Sequence, residues 1–208
     1  MSLIPVREAL RMLEAERLVS IEPNKGARVA PLSIDRMKSA YAVRLLLEPE
    51  AVRLSTPNLD GRTLATARLV KDQMVDAMRR DDPSEAARLH RRLHFLFYEA
   101  CESEWLLEII TMLFDQTERY RRLSAPLRSD VDEVDLEHAR VLDAIGAGDP
   151  QAAARSLELH LGRTTDLMSS AYQVGNSDPD ASASSRTEHS DRIPEAPQAF
   201  SDVTLGSG

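Results

Sequence analysis

Cysteine is almost missing from this chain. Cys101 stands alone among 208 residues, so no internal disulfide framework can form, and the composition suits a reducing compartment. Glycine (8 residues) and aromatics (4%) are also scarce, which argues for helices over sheet. No apolar run reaches bilayer-spanning length, and the start carries no signal-peptide pattern. A cytoplasmic, soluble protein with no membrane partner is expected. Bases are outnumbered, with 26 Lys and Arg against 34 Asp and Glu and a net charge of −8. Taken whole, that speaks against a nucleic-acid partner. The distribution of charge weakens the objection: residues 1–31 hold five bases (Arg7, Arg11, Arg17, Lys25, Arg28) against four Glu, and one basic end can still sit over phosphate. No Ser-His-Asp order, phosphate loop or Cys motif is present, so an enzyme is not expected.

Histidine is what the chain has in a telling arrangement. His90, His94, His138 and His160 all fall on helical segments and on their apolar sides. His90 and His94 are four apart and stack on one helical face. His94 shares that face with Ala87, Phe97, Tyr98 and Cys101; His138 lies with Val134, Val141, Leu142 and Ile145; His160 lies with Ala153, Leu157 and Thr164. One such histidine is ordinarily a satisfied core residue. Four neutral imidazoles buried without partners would be costly, and together they form a ligand set for a divalent ion such as Zn or Ni.

Residues 5–17 are strong helix formers, with Pro5 in the first turn and a stripe of Val6, Ala9, Leu10 and Leu13. Leu18, Val19 and Ile21 and then Ala27–Ala30 read as two strands, with Pro-Asn-Lys-Gly between them and Gly26 free to take positive φ. From Ser33 the pattern predicts helices over 33–56, 60–80, 83–102, 104–122, 129–147 and 150–172. Two open with Asp-Pro (Asp82-Pro83 and Asp149-Pro150), an N-cap followed by the residue best tolerated at the first helical position. Gly146 and Gly148 mark a stop. Six such helices with short connections make an all-α antiparallel bundle. Beyond Tyr172 the chain turns to Ser, Asp, Pro, Gly and Ala, and residues 173–208, including His189, read as a disordered tail.

The stretch SLIPVREALRMLEAERLVSIEPNKGARVAPLS resembles the second half of the winged helix-turn-helix of GntR-type transcription regulators. AVRLLLEPEAVRL, LHRRLHFLFYEA and EHARVLDAIGAGDPQAAARSLELHL resemble the helical effector (FCD) domain of the FadR branch. The resemblance covers roughly residues 2–170. It implies a partial winged helix-turn-helix over 1–31 and an FCD-like effector domain over 32–172. Family members carry two further helices ahead of the segment that starts here at Ser2. Two readings follow, a late or fragmentary start or a relative that has lost its DNA grip.

The resemblance implies that the helix from Pro5 enters the major groove. Arg7 and Arg11 lie on one face and can read guanine or clamp phosphate. Lys25, Gly26 and Arg28 suit a wing, and Ser2 a phosphate contact. Without the resemblance, Arg7 and Arg11 would be a solvated face paired with Glu8 and Glu14. The family's metal site has an Asp, a His four later, then two more His. His94, His138 and His160 match it, and His90 stands where the Asp would be. A ligand charge is thereby lost, which favours an anion in the open coordination positions. FCD regulators of this kind sense small organic acids. Arg44, as a carboxylate fork, is a candidate effector contact, as are Arg121 and Tyr120; in the plainer alternative Arg44 pairs with Glu48. The expected whole is a homodimeric, metabolite-responsive regulator of a double-stranded DNA operator. The alternative is an effector domain that binds metal and ligand but no DNA. A metalloenzyme would need a base, and Glu137, turned about 100° from His138, is poorly placed for that.

Overall fold

The computed structural model describes residues 4–15, 18–22, 25–124 and 130–176. The chain begins with α1 (Ile4–Ala15) and an antiparallel hairpin of β1 (Val19–Glu22) and β2 (Gly26–Val29), paired from Val19↔Val29 to Glu22↔Gly26. Gly26 has φ +84, a conformation that glycine adopts without strain. The Glu14 carboxylate accepts a hydrogen bond from the Ile21 backbone N–H at 3.1 Å, tying helix to hairpin. The apolar stripe expected on α1 is only partly covered. Leu10 and Leu13 are half-buried, while Val6 is exposed. Ser2, Glu16 and Arg17 lie outside the described residues.

Six helices follow: α2 (Ile34–Ser55), α3 (Gly61–Arg79), α4 (Pro83–Tyr98), α5 (Glu104–Ser124), α6 (Val131–Gly146) and α7 (Pro150–Asn176). Their starts are built as the sequence implies. Asp82 caps α4 through the Glu85 N–H at 3.0 Å, and Asp149 caps α7 through the Ala152 N–H at 2.9 Å; Asp60 and Asp130 do the same for α3 and α6. Each such cap satisfies a donor the helix cannot, for about 1 kcal/mol. Gly148 takes φ +66 between α6 and α7. Helix α4 ends at Tyr98, short of the expected 102: the Cys101 N–H closes a tighter turn on the Tyr98 carbonyl at 2.9 Å, and Glu102 takes φ +55, which no α-helix can accommodate. Helix α7 continues to Asn176, past the expected end at Tyr172; Gly175 and Asn176 are the first residues there that favour a helix terminus. Residues 177–208, the rest of the expected tail, lie outside the described residues.

Helix α7 packs against α2 and α6, and α3 against α4 and α6. Met37, Tyr41, Leu89, Leu93, Phe97, Ile110, Leu142, Leu157 and Leu161 form the heart of the core. Each large apolar side chain buried there stabilises by about 1.5–3 kcal/mol, so the helices hold one another in place around whatever polar groups they enclose. The link between hairpin and bundle is strapped at three points. Arg119 donates to the Ala30 carbonyl, the Ser33 N–H to the Tyr120 hydroxyl at 3.3 Å, and the Tyr172 hydroxyl to the Leu32 carbonyl at 3.2 Å. Among the described residues, no helix is long and apolar enough to cross a membrane.

Candidate metal centre

Helices α4, α6 and α7 each turn an apolar stripe inwards, and the four histidines ride on those stripes. His94 and His138 are fully buried, with His160 and His90 at 2% and 5% exposure. One ligand atom from each lies within 4.8 Å of the others. The ring centroids of His90 and His94 are 4.3 Å apart and those of His138 and His160 4.4 Å, so the pairs face each other across the bundle interior. Every neighbour the sequence placed beside them is buried, from Ala87, Phe97, Tyr98 and Cys101 to Val134, Val141, Leu142, Ile145, Ala153, Leu157 and Thr164.

The hydrogen bonds around the cluster fix which nitrogen carries the proton in three of the four neutral rings. The Val134 carbonyl can only accept, so His138 Nδ1, 2.7 Å away, is the protonated nitrogen. Glu137 lies 2.9 Å from His160 Nδ1 and likewise accepts. Tyr98 has a single hydroxyl proton, which it donates to Glu48 Oε2 at 2.6 Å; its oxygen therefore accepts from His94 Nδ1 at 3.1 Å. In all three rings Nε2 is left with a lone pair, the form that ligates a metal. His94 Nε2 and both nitrogens of His90 are buried with no hydrogen-bond partner, and such orphaned groups cost about 1–3 kcal/mol each unless something binds them. Tetrahedral Zn–N bonds of about 2.0–2.1 Å put donor nitrogens about 3.4 Å apart. Donor atoms that already lie within 4.8 Å of one another need close by no more than about 1.4 Å to reach that spacing, so the residues present fit a divalent ion.

Burial pushes His90 well below its ordinary value, reinforced by the charges its three histidine neighbours and Arg121 would present. His94 is also lowered by burial, with Glu48 pulling the other way. His90 and His94 are thus held as neutral, electron-donating rings. Carboxylates stand just outside it, yet each is already matched. Glu48 pairs with Arg44, and Glu137 pairs with Arg163 at 3.2 Å. Burial, the largest single influence, would raise the Glu48 carboxyl, but the Arg44 charge together with hydrogen bonding and the nearby His94 outweighs it and holds the group at about 2. An ion placed among the histidines would keep its two positive charges largely uncompensated, a strong attraction for an anion.

The candidate effector contacts separate. Arg44 is buried and committed: its guanidinium bonds Glu48 and the Thr117 hydroxyl (2.8 Å) and lies 4.6 Å from the ring centres of both Tyr41 and Phe114. It takes the ion pair that sequence reasoning offered as its plainer role. Tyr120 faces the link at Ser33. Arg121 is 11% exposed, pairs with Glu118 at 2.8 Å and is near enough to depress His90 and His94. Glu137, the weak candidate for a catalytic base, is occupied with His160 and Arg163. Sequence reasoning missed the supporting roles of Tyr98, Thr117 and Glu137. The signal for Tyr98 was present, since it follows His94 by four just as Glu48 follows Arg44.

On the head, Arg7, Arg11, Lys25, Gly26 and Arg28 are exposed. Arg11 pairs with Glu8 at 2.9 Å and Lys25 with Glu22 at 3.2 Å, whereas Glu14 serves the hairpin backbone. Exposed pairs of this kind contribute little, about 0–1 kcal/mol, and leave the bases available to a phosphate.

The profile of the FCD domain family matches residues 39–163. The "Uncharacterized HTH-type transcriptional regulator BphR" of Paraburkholderia xenovorans is 33% identical over 164 residues; the match covers 75% of this chain and 66% of BphR, just under two thirds of its length. The HTH-type transcriptional repressor GlaR of Escherichia coli is 30% identical, with 76% and 75% covered. Among solved structures, a GntR-family transcriptional regulator from Pseudomonas syringae is 31% identical with a TM-score of 0.56, covering 85% of this chain and 73% of its own. The E. coli McbR/YncC structure shares the fold at TM-score 0.74 and 21% identity, with 83% and 82% covered.

Proposed function

The chain belongs to the GntR family of transcriptional regulators and carries an FCD domain, and from that premise we propose that it is a metabolite-responsive regulator of a DNA operator. Its bundle binds a divalent metal, Zn or Ni, through His94, His138 and His160 with His90 as the fourth donor. A small organic acid binds beside them, drawn by the metal and by Arg121, while Arg44 holds Glu48 in place. The observation that carries this reading is the convergence of four buried imidazoles within 4.8 Å. The metal would supply a Lewis-acidic anchor for a carboxylate. The chain's own part is to hold the donors neutral, dry and correctly turned.

Arg7, Arg11, Lys25 and Arg28, with Gly26 letting the backbone approach, form the DNA-facing surface of the head; Ser2 is proposed with them from the family resemblance. The relatives named above are HTH-type regulators rather than enzymes, which favours a DNA-binding protein over a bundle that binds effector alone. On α5, Trp105, Ile109 and Met112 are 77%, 40% and 51% exposed at helical spacing. An apolar stripe of this kind supports a homodimer, acting in the cytoplasm.

A thermal-shift screen of small carboxylates, with and without zinc, tests the sensor. Hits that raise the melting temperature only when zinc is present are expected; a screen in which no carboxylate shifts the zinc-loaded protein overturns the effector reading. For the head, Arg7→Ala is expected to abolish operator binding in a gel-shift titration of the protein with its complete DNA-binding region. Unchanged affinity would remove Arg7 from the groove.

A further inference from the structure

We infer that Tyr98, held by Glu48, is a positioning residue for the metal centre: it sets the tautomer and direction of His94. This rests on the reading of the histidines as metal ligands. An imidazole offers a metal only its unprotonated nitrogen, so a ligand ring needs its other N–H engaged by an acceptor pointing away from the ion. His138 uses a peptide carbonyl and His160 a carboxylate. His94 uses a phenol, which alone does not choose: a hydroxyl can donate to Nδ1 or accept from it. The choice is made one bond further out. Glu48 is fully buried and bonded to the Arg44 guanidinium, which holds it as a carboxylate that can only accept, so it claims the Tyr98 proton at 2.6 Å. The Tyr98 oxygen is left as an acceptor, His94 Nδ1 must donate, and His94 Nε2 faces the other histidines with its lone pair. Glu48 lies 3.8 Å from His94 Nδ1, beyond hydrogen-bond reach, so the phenol is the required intermediary.

Glu48 is itself positioned from α2 and α5. Arg44, one turn earlier on α2, is bonded to it and to Thr117 of α5. A continuous buried chain thus runs Thr117–Arg44–Glu48–Tyr98–His94, joining three helices to one metal ligand.

The test is a titration of the metal-free full chain with zinc alone, for wild type, Tyr98→Phe and Thr56→Val. Tyr98→Phe removes the acceptor without changing the ring's shape and is expected to weaken zinc binding about 10–100-fold. Thr56→Val removes a buried hydrogen bond, to the Val52 carbonyl at 2.7 Å, that lies outside this network, and its zinc affinity is expected to stay within about threefold of wild type. A merely structural Tyr98 would lower stability in both variants and zinc affinity in neither. Wild-type affinity in Tyr98→Phe overturns the inference, provided that wild type binds zinc; if wild type binds none, it is the metal reading that fails. Should Tyr98→Phe not fold, the ring 15N shifts of His94 in metal-free wild type decide the matter. A protonated Nδ1 and bare Nε2 support the inference, and a protonated Nε2 overturns it.

Discussion

Zinc added to about a thousand times its dissociation constant is expected to raise the melting temperature of the metal-free protein by roughly 8–16 °C. Binding only to the folded state at that excess contributes about 4 kcal/mol, and for a chain of this size each kcal/mol moves the midpoint by about 2–4 °C. The proposed ligands come from three separate helices, so a bound ion would cross-link α4, α6 and α7, and the unfolded chain would offer no comparable site. His138→Ala should abolish the shift. It removes one of the donors whose Nε2 orientation is fixed by a rigid partner, the Val134 carbonyl. A zinc shift of wild-type size in His138→Ala, together with no metal in elemental analysis of protein purified without chelator, would reduce the cluster to packing.

Glu48→Ala should cost about 3–5 kcal/mol, the penalty for leaving a buried charge without its partner. Arg44 is 2% exposed and would keep its charge, because a guanidinium does not deprotonate in a protein, while the carboxylate bonded to it would be gone. Unfolding in urea, followed by circular dichroism, measures the loss; a cost under about 1 kcal/mol would show that water reaches Arg44 and that the pair is not structural. The double variant Arg44→Met/Glu48→Leu should recover most of the stability, since an apolar pair of similar volume often replaces a buried ion pair without loss. Its zinc affinity should nevertheless stay low, because Tyr98 would have lost the acceptor that aligns it. Stability and metal binding part company in that variant, and a recovered affinity would argue against the relay.

The bundle was legible because its signals are local. Asp82-Pro83, Asp149-Pro150 and Gly148 announce helix ends through backbone chemistry that involves no distant residue, and the period of apolar side chains then fixes which face is inward. The four histidines followed from the same arithmetic, since a helical stripe that buries Val141, Leu142 and Ile145 must also bury His138. What could not be read was how the stripes meet. Arg44 offered either an ion pair or a carboxylate fork, and the structure closes it onto Glu48 and Thr117. Tyr98 looked like one more aromatic core residue, because a phenol reveals its bonding only when its acceptor, fifty positions away, is in place. Tyr120 and Arg121, adjacent in sequence, point to different tasks, one at the link and one beside the cluster. The end of α4 slipped by four residues for a similar reason: a left-handed Glu102 carries no compositional mark.

Helix α7 connects two places that are far apart in purpose. It bears His160 in the cluster and, twelve residues on, Tyr172 at the Leu32 carbonyl. At 1.5 Å per residue that is a rigid arm of about 18 Å, pivoting where an ion would sit and pressing where the hairpin joins. A tilt of about 5° at the pivot sweeps the far end through about 1.6 Å, about half the 3.2 Å length of the hydrogen bond it holds there. A change too slight to notice among the imidazoles would therefore arrive beside the hairpin as a broken contact.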